Sequence, residues 1–229
     1  MNHGFNDGQS AASVSRKTAQ TKDSGLEDAV IIFIKFPTPG LVKTRLIPAL
    51  GAQGAADCQR QMSEQIVRQV RELQRYKATG LQIHYQGGKT ETMAAWLGDD
   101  LNYYPQRGDD IGCRMAAAFQ QAFAAGNRHV ILVGSDCPAL TAAILHSAFN
   151  KLKRLDLVLG PAMDGGYYLI GLNSPCPALF TGLSWGTGMV LAETLQKAEE
   201  QGLSVNLMDT LYDIDRPEDL RHFHNYTRP

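Results

Sequence analysis

Cysteine is sparse and scattered in this chain. Its four, Cys58, Cys113, Cys137 and Cys176, form no C-x-x-C pair. That excludes the usual zinc-site spacing and a disulfide-stapled scaffold, and leaves reduced thiols as the expectation. Excess charge of one sign is also lacking: 22 Lys and Arg against 23 Asp and Glu give a formal net charge of -1. With no sustained basic stretch, the electrostatic footprint of a general nucleic-acid binder is missing. Apolar runs such as Ala29 to Ile34 are far too short to span a bilayer, and the first residues hold no apolar secretory core. A cytoplasmic location is therefore expected, with neither nucleic acid nor membrane as partner and with small anionic ligands left open.

What the chain does hold is a series of short apolar runs that stop abruptly at turn residues. The 229 residues suit one α/β domain and would be cramped as two. Residues 1–27, polar and without hydrophobic period, are expected to form a disordered tail, and residues 28–229 a single domain. Strands are expected at 29–34, 81–85, 101–104, 129–133, 155–159, 167–170 and 203–208. Between them, a long amphipathic helix is read over 52–78, a short one around Met93 and Trp96, and others around Met115–Phe123, 141–153 and 190–198. His84 reads as structural.

The most informative run is His129–Val133 with its ending Gly134-Ser135-Asp136-Cys137-Pro138. It is β-branched and too short for a helix, which predicts a strand buried on both faces in a parallel sheet, with Asp136 at the carboxyl end. Ligands bind at that edge of open α/β sheets, so a carboxylate delivered there suits a hard cation beside a phosphate. Asp136 as a mere helix cap is the weaker reading, because Thr141 caps the next helix equally well.

Past the first strand lies Lys35-Phe36-Pro37-Thr38-Pro39-Gly40-Leu41-Val42-Lys43-Thr44-Arg45-Leu46. The prolines and Gly40 fix an irregular backbone, while Lys35, Lys43 and Arg45 set three cations among several backbone N–H groups, which is phosphate-binding chemistry. It is not a P-loop, since Val42 and Pro37 stand where that motif needs glycines. Lys43 and Arg45 are expected on a loop with little buried packing. In Gln106-Arg107-Gly108-Asp109-Asp110-Ile111-Gly112-Cys113-Arg114, glycines free the backbone before a helix, so that Gln106, Asp110, Gly112 and Arg114 meet a base or sugar. Asp164-Gly165-Gly166-Tyr167 has two readings. One is a turn that approaches a ligand closely, with Asp164 binding hydroxyls or acting as a base; the other is an Asp-Gly hairpin turn. Trp185 either packs under the sheet or covers a sugar. Asp215 either caps the helix beginning at Pro217 or supplies a second metal carboxylate.

Five ordered stretches carry a resemblance: Pro39-Gly40-x-Val42-Lys43-Thr44-Arg45-Leu46, Gln106-x-Gly108-x-Asp110-Ile111-Gly112-x-Arg114-Met115, Gly134-Ser135-Asp136-Cys137-Pro138, Asp164-Gly165-Gly166-Tyr167-Tyr168 and Asp213-Ile214-Asp215-x-Pro217-Glu218-Asp219-Leu220. Together they resemble the DUF2064 group of glycosyltransferase-like proteins, including those called radical-SAM/selenodomain-associated or arsenosugar-biosynthesis glycosyltransferases. The resemblance covers about Val30 to Leu220. It implies the GT-A fold, a Rossmann-like nucleotide-diphospho-sugar transferase sandwich with a mostly parallel central sheet, and relatives that transfer nucleotides instead of sugars. Lys43-Thr44-Arg45 then looks like the donor phosphate loop, Asp136 like the strand-end metal ligand, and Asp215 like the late carboxylate of nucleotidyltransferases. A single Asp in Gly134-Ser135-Asp136 departs from the D-x-D usual among glycosyltransferases of this fold.

Two reactions fit one nucleotide and metal site. In glycosyl transfer, a nucleotide-sugar diphosphate is bridged by Mg²⁺ or Mn²⁺ at Asp136 and Asp215, Lys43 and Arg45 offset the departing charge, and a small-molecule hydroxyl attacks near Asp164. In nucleotidyl transfer, an NTP occupies the same loop and pyrophosphate leaves. Glycosyl transfer is ranked first by a narrow margin. A nucleotide-binding module without catalysis stands third, since neither the lysine nor the carboxylates are missing.

Overall fold

The apolar run at 29–34 lies at the centre of strand β1, Asp28–Lys35, and its Ala29–Ile34 segment is at most 8% exposed. Alternation sends Val30, Ile32 and Ile34 to one face and Ile31 and Phe33 to the other, so the strand needs apolar cover on both sides. The computed structural model describes residues 25–223 together with Met1. Residues 2–24 of the expected tail lie outside the described residues; nearer its end, Leu26 and Glu27 accept hydrogen bonds from Asn127 and from the N–H groups of Arg128 and His129. The last residues of the expected domain, 224–229, also lie outside.

The remaining elements follow the expected alternation: α1 (Ile47–Gln74), β2 (Gly80–Gln86), α2 (Thr90–Leu97), β3 (Asn102–Pro105), α3 (Ile111–Ala124), β4 (His129–Gly134), α4 (Ala142–Leu152), β5 (Leu157–Pro161), β6 (Tyr167–Leu172), α5 (Val190–Glu200), β7 (Val205–Leu207) and α6 (Leu220–Phe223). Three short 3-10 turns, Thr44–Leu46, Pro177–Phe180 and Pro217–Asp219, sit in the connections. The first long helix starts earlier than 52, but Gly51 (φ 70°, ψ 168°) breaks it, so regular winding begins where the periodicity predicts. Thr141 caps α4 through Ile144 N, as expected.

The strands form one seven-stranded sheet in the order β3-β2-β1-β4-β6-β5-β7. β6 runs antiparallel to both β4 and β5, and the other pairings are parallel. β4 is thus buried as expected but lies parallel to β1 only, because the Asp164-Gly165 turn folds β6 back as a hairpin and inserts it beside β4. One face of the sheet is covered by α1, α2 and α4 through residues such as Ile66, Val70, Met93, Leu145 and Phe149. The other is covered by α3, α5 and the Pro177 turn through Met115, Phe119, Leu179, Phe180 and Ala198. This is the expected three-layer Rossmann-like sandwich. A smaller cluster of Leu46, Ala55, Cys58, Met62, Ile214 and Phe223 ties the loop after β1, α1 and the chain's end together beneath the carboxyl edge of the sheet.

Candidate active site

The loops at the carboxyl ends of β1, β2, β3 and β4 and the β5–β6 turn open into one cleft of about 510 Å³, within the range of sites for ligands of nucleotide size. Lys35 lines it from the end of β1 and Arg45 from the loop that follows, Gln86, Gln106 and Arg114 from the β2 and β3 side, and Asp136 from just past β4. Asp164, Gly166 and Tyr167 line it from the hairpin, with Trp185, Thr187 and Asp213 completing the wall. Pro39, Gly40, Thr44, Gly112 and Gly165 lie outside that lining, as do the charged residues Asp110, Lys43 and Asp215.

The last two stand directly behind the wall. Lys43 Nζ lies 3.0 Å from Asp136 Oδ2 and 3.7 Å from Asp215 Oδ1, and Arg45 Nη1 pairs with the other oxygen of Asp215. Asp136 and Asp215, expected at one sheet edge beside the 37–46 loop, are therefore brought to a single point. Contrary to the expectation of little burial, the Lys43 side chain is only 4% exposed, whereas that of Arg45 is 63% exposed. The reason is packing: Val42 and Leu46 are buried on either side of Lys43, and Leu46 belongs to the small cluster with Ile214. Ile214 N also donates to the Asp136 carbonyl at 2.9 Å, which fixes Asp213 and Asp215 relative to β4. Lys43 has a left-handed backbone (φ 46°), the one non-glycine positive φ among the described residues.

The electrostatics follow from this crowding. Burial pushes the Asp215 carboxyl up, but Lys43 and Arg45 more than offset it and leave it below the usual range. Asp213 goes the other way, raised by burial and then by the nearby Asp164 charge. Burial pushes Cys58 up to about 11 and Cys137 up to about 12, so neither thiol is a nucleophile at neutral pH.

Several predicted residues have structural work of their own. Asp110 Oδ1 accepts the Cys113 N–H at 2.7 Å as the N-cap of α3, and this hydrogen bond holds its pKa low. A Cβ on Gly112 would lie 2.5 Å from Phe180 O and 2.6 Å from Trp185 Cζ2, so its bareness lets Trp185 pack over α3. A Cβ on Gly165 would lie 2.2 Å from Gly188 O, so the close approach read from the paired glycines is made by the chain's own 186–190 segment. Asp164 Oδ1 accepts Gly166 N at 2.8 Å. The hairpin reading and the lining of the cleft thus hold together. Trp185 packs beside the sheet, the first of its two expected roles, and also lines the cleft.

Gln59, Gln86, Thr187 and Asp213 were not singled out from the sequence. Gln59 is 2% exposed on α1 and donates to Ser135 Oγ at 2.9 Å and Ser63 Oγ at 3.1 Å, bracing the residue before Asp136. Gln86, at the end of β2 just before Gly87-Gly88, accepts from Arg114 Nη1 at 3.4 Å, and its place before a glycine turn was a usable signal. His84, 3% exposed, stacked on Phe33 and packed against the tilted ring of Tyr104, is structural as read.

Among the described residues no three His, Cys, Asp or Glu side chains gather into a metal cage. Asp136 and Asp215 nonetheless suit a hard divalent cation by donor chemistry, since both present carboxylate oxygens to one point and phosphate oxygens would supply further ligands. No helix among the described residues is long and apolar enough to cross a membrane.

Comparison with known proteins follows the same lines. The chain is 35% identical to a protein of Desulfovibrio desulfuricans G20 whose description as a nucleotide-diphospho-sugar transferase is provisional, with 89% of this chain and 88% of that one covered and a TM-score of 0.82. It is 29% identical over 135 residues to a phosphoenolpyruvate guanylyltransferase of Chloroflexus aggregans; this match takes in 56% of the chain and 64% of that relative's length, less than two thirds of it. At the level of fold alone, it matches glucosyl-3-phosphoglycerate synthase of Mycobacterium tuberculosis, solved with Mn²⁺ and UDP, at 12% identity and a TM-score of 0.52, covering 88% and 76% of the two chains. The DUF2064 family, described as an uncharacterized protein conserved in bacteria, matches residues 69–187. With that match across more than half its length and the Desulfovibrio likeness along nearly all of it, the chain belongs to the DUF2064 family.

Proposed function

We propose that this protein is a metal-assisted transferase that takes a nucleotide-diphospho-sugar as donor and a neutral small-molecule hydroxyl as acceptor. The observation that carries the reading is the division of charge in the cleft. Lys35, Arg45 and Arg114 line the side toward β1–β3, whereas Asp164 and Asp213 line the hairpin side. An anionic diphosphate is favoured against the first and a neutral hydroxyl beside the second. Gln86, Gln106 and Arg114 offer donors and acceptors for a nucleobase; an Arg fork suits the O6 and N7 of guanine. Lys35, Lys43 and Arg45 take the phosphates and offset charge as the nucleoside diphosphate departs, while Asp164 accepts the acceptor's proton as its oxygen attacks the anomeric carbon. Trp185 covers the sugar. A divalent cation, Mg²⁺ or Mn²⁺, held by Asp136 and Asp215, supplies Lewis-acid stabilisation of the phosphate oxygens when bound.

Nucleotidyl transfer is the second reading, favoured by three cations in one loop, which suit a triphosphate, and by the guanylyltransferase relative. In that case the acceptor is a phosphate or carboxylate and pyrophosphate leaves. Incubation with a panel of nucleotide sugars and NTPs plus Mg²⁺ or Mn²⁺, following nucleoside diphosphate and pyrophosphate separately, decides the matter. Glycosyl transfer requires nucleoside diphosphate from a nucleotide sugar in proportion to a glycosylated acceptor; pyrophosphate release from an NTP with no sugar transfer overturns it.

A further inference from the structure

The cation position between Asp136 and Asp215 is taken by the protein itself. Lys43 Nζ stands 3.0 Å from one carboxylate and 3.7 Å from the other, in a side chain only 4% exposed. With Arg45 on Asp215, two positive charges balance two negative ones. Adding a divalent ion to that balanced group would place like charges a few ångströms apart around a lysine side chain that is itself almost wholly buried, so metal and ammonium exclude one another. The backbone there is held in place: Val42 and Leu46 are buried on either side, and Lys43 keeps a left-handed conformation that a non-glycine residue adopts only when its surroundings impose it. Movement is left to the four-carbon stem, which is long enough to carry the ammonium from the acid pair toward the neighbouring cleft.

We infer that Lys43 is a stand-in for the divalent cation, holding Asp136 and Asp215 together in the ligand-free protein and withdrawing to the donor's phosphates when the metal enters. The inference rests on the proposed metal site. It makes Lys43 a competitor of the metal and a partner of the phosphates, so that removing its charge moves the two affinities in opposite directions. A residue that served only as a phosphate ligand would move one of them.

The test measures Mn²⁺ affinity without nucleotide, by electron paramagnetic resonance of free Mn²⁺, for wild type, Lys43→Gln, Lys43→Met, Lys43→Arg and Asp136→Asn. Near-UV circular dichroism checks the fold of each variant, and Lys43→Met keeps an apolar stem in the buried position should Lys43→Gln fail to fold. The expected result is Mn²⁺ binding about tenfold tighter or more in the neutral variants, unchanged in Lys43→Arg and lost in Asp136→Asn. Nucleoside diphosphate affinity, measured without metal, falls in the same neutral variants. If the neutral variants bind Mn²⁺ as wild type does while Asp136→Asn loses it, the stand-in role is overturned and the metal site survives. If Asp136→Asn leaves Mn²⁺ binding intact, the metal site and the stand-in role fall together.

Discussion

Single residues in this protein are governed by what surrounds them more than by their type. His84 shows it: burial among Phe33, Tyr104 and the strand backbone lowers its pKa from 6.5 to about 4. In the unfolded chain the imidazole takes up a proton near pH 6.5, while in the folded protein it stays neutral until about pH 4. The stability it confers is therefore complete above pH 6.5 and drains away as pH falls from there to about 4, amounting to about 3 kcal/mol. Urea unfolding at pH 7.5 and pH 4.5 should show wild type losing about 2.5 kcal/mol more than His84→Leu, most of that total; equal losses would mean the ring is protonated in the fold. Gln59 is the second case. Replacing it with Met removes its bonds to Ser63 and Ser135, and a cost of about 1–3 kcal/mol in urea unfolding is expected. Neither Gln59 nor the burial of Lys43 was legible in sequence. A Gln among Arg, Gln and Glu on an amphipathic helix has the pattern of a solvated face, and a Lys beside Thr44 and Arg45 has that of an exposed loop. Their burial comes from partners far along the chain, Ser135 for one and Asp136, Ile214 and Asp215 for the other.

Elements were more legible than their ends, because apolar period is a local property and packing is not. The run at 129–133 had to be a strand, and Thr141 had to start a helix; that β6 would turn back and sit beside β4 depended on the geometry of five residues after β5. The start of α3 shows how capping and packing combine. Asp110 satisfies the Cys113 N–H, and Asp110→Ala should lower stability by about 1 kcal/mol as a helix cap. Should Asp110 also touch the ligand, nucleotide affinity will fall further than that loss of stability explains. Within the same first turn, Gly112 leaves room for Trp185, which is also held by the pairing of Ser184 N and Oγ with Glu193 of α5. Gly112→Ala should push Trp185 off α3. In a Trp96→Phe background, which leaves Trp185 as the sole indole, its fluorescence should shift to the red and donor-sugar affinity should fall. An unshifted spectrum would mean that α3 itself moves to accommodate the methyl.

At the scale of the whole molecule, the sheet collects charges from segments more than 170 residues apart onto one edge: Lys43 after β1, Asp136 after β4, and Asp213 and Asp215 beyond β7. That convergence was predictable in kind, since each carboxylate follows a strand; the direct contact of Lys43 with both was not. The contact changes what a mutation should do. Had Asp136 stood free, Asp136→Asn would leave the unliganded protein unaltered. Because it pairs with a buried lysine, the variant should melt a few degrees lower even without ligand, and Asp215→Asn, which also loses Arg45, should melt lower still. A ligand that binds only the folded chain adds about 2.7 kcal/mol at a hundredfold excess over Kd, which for a protein of this length raises Tm by about 5–10 °C. In wild type that increment should need both the nucleotide sugar and Mg²⁺ or Mn²⁺, and it should vanish in Asp136→Asn while the lowered unliganded Tm remains. Differential scanning calorimetry reads both quantities from one preparation. An Asp136→Asn protein that keeps the metal-dependent increment would confine this carboxylate to holding Lys43, with the cation bound elsewhere.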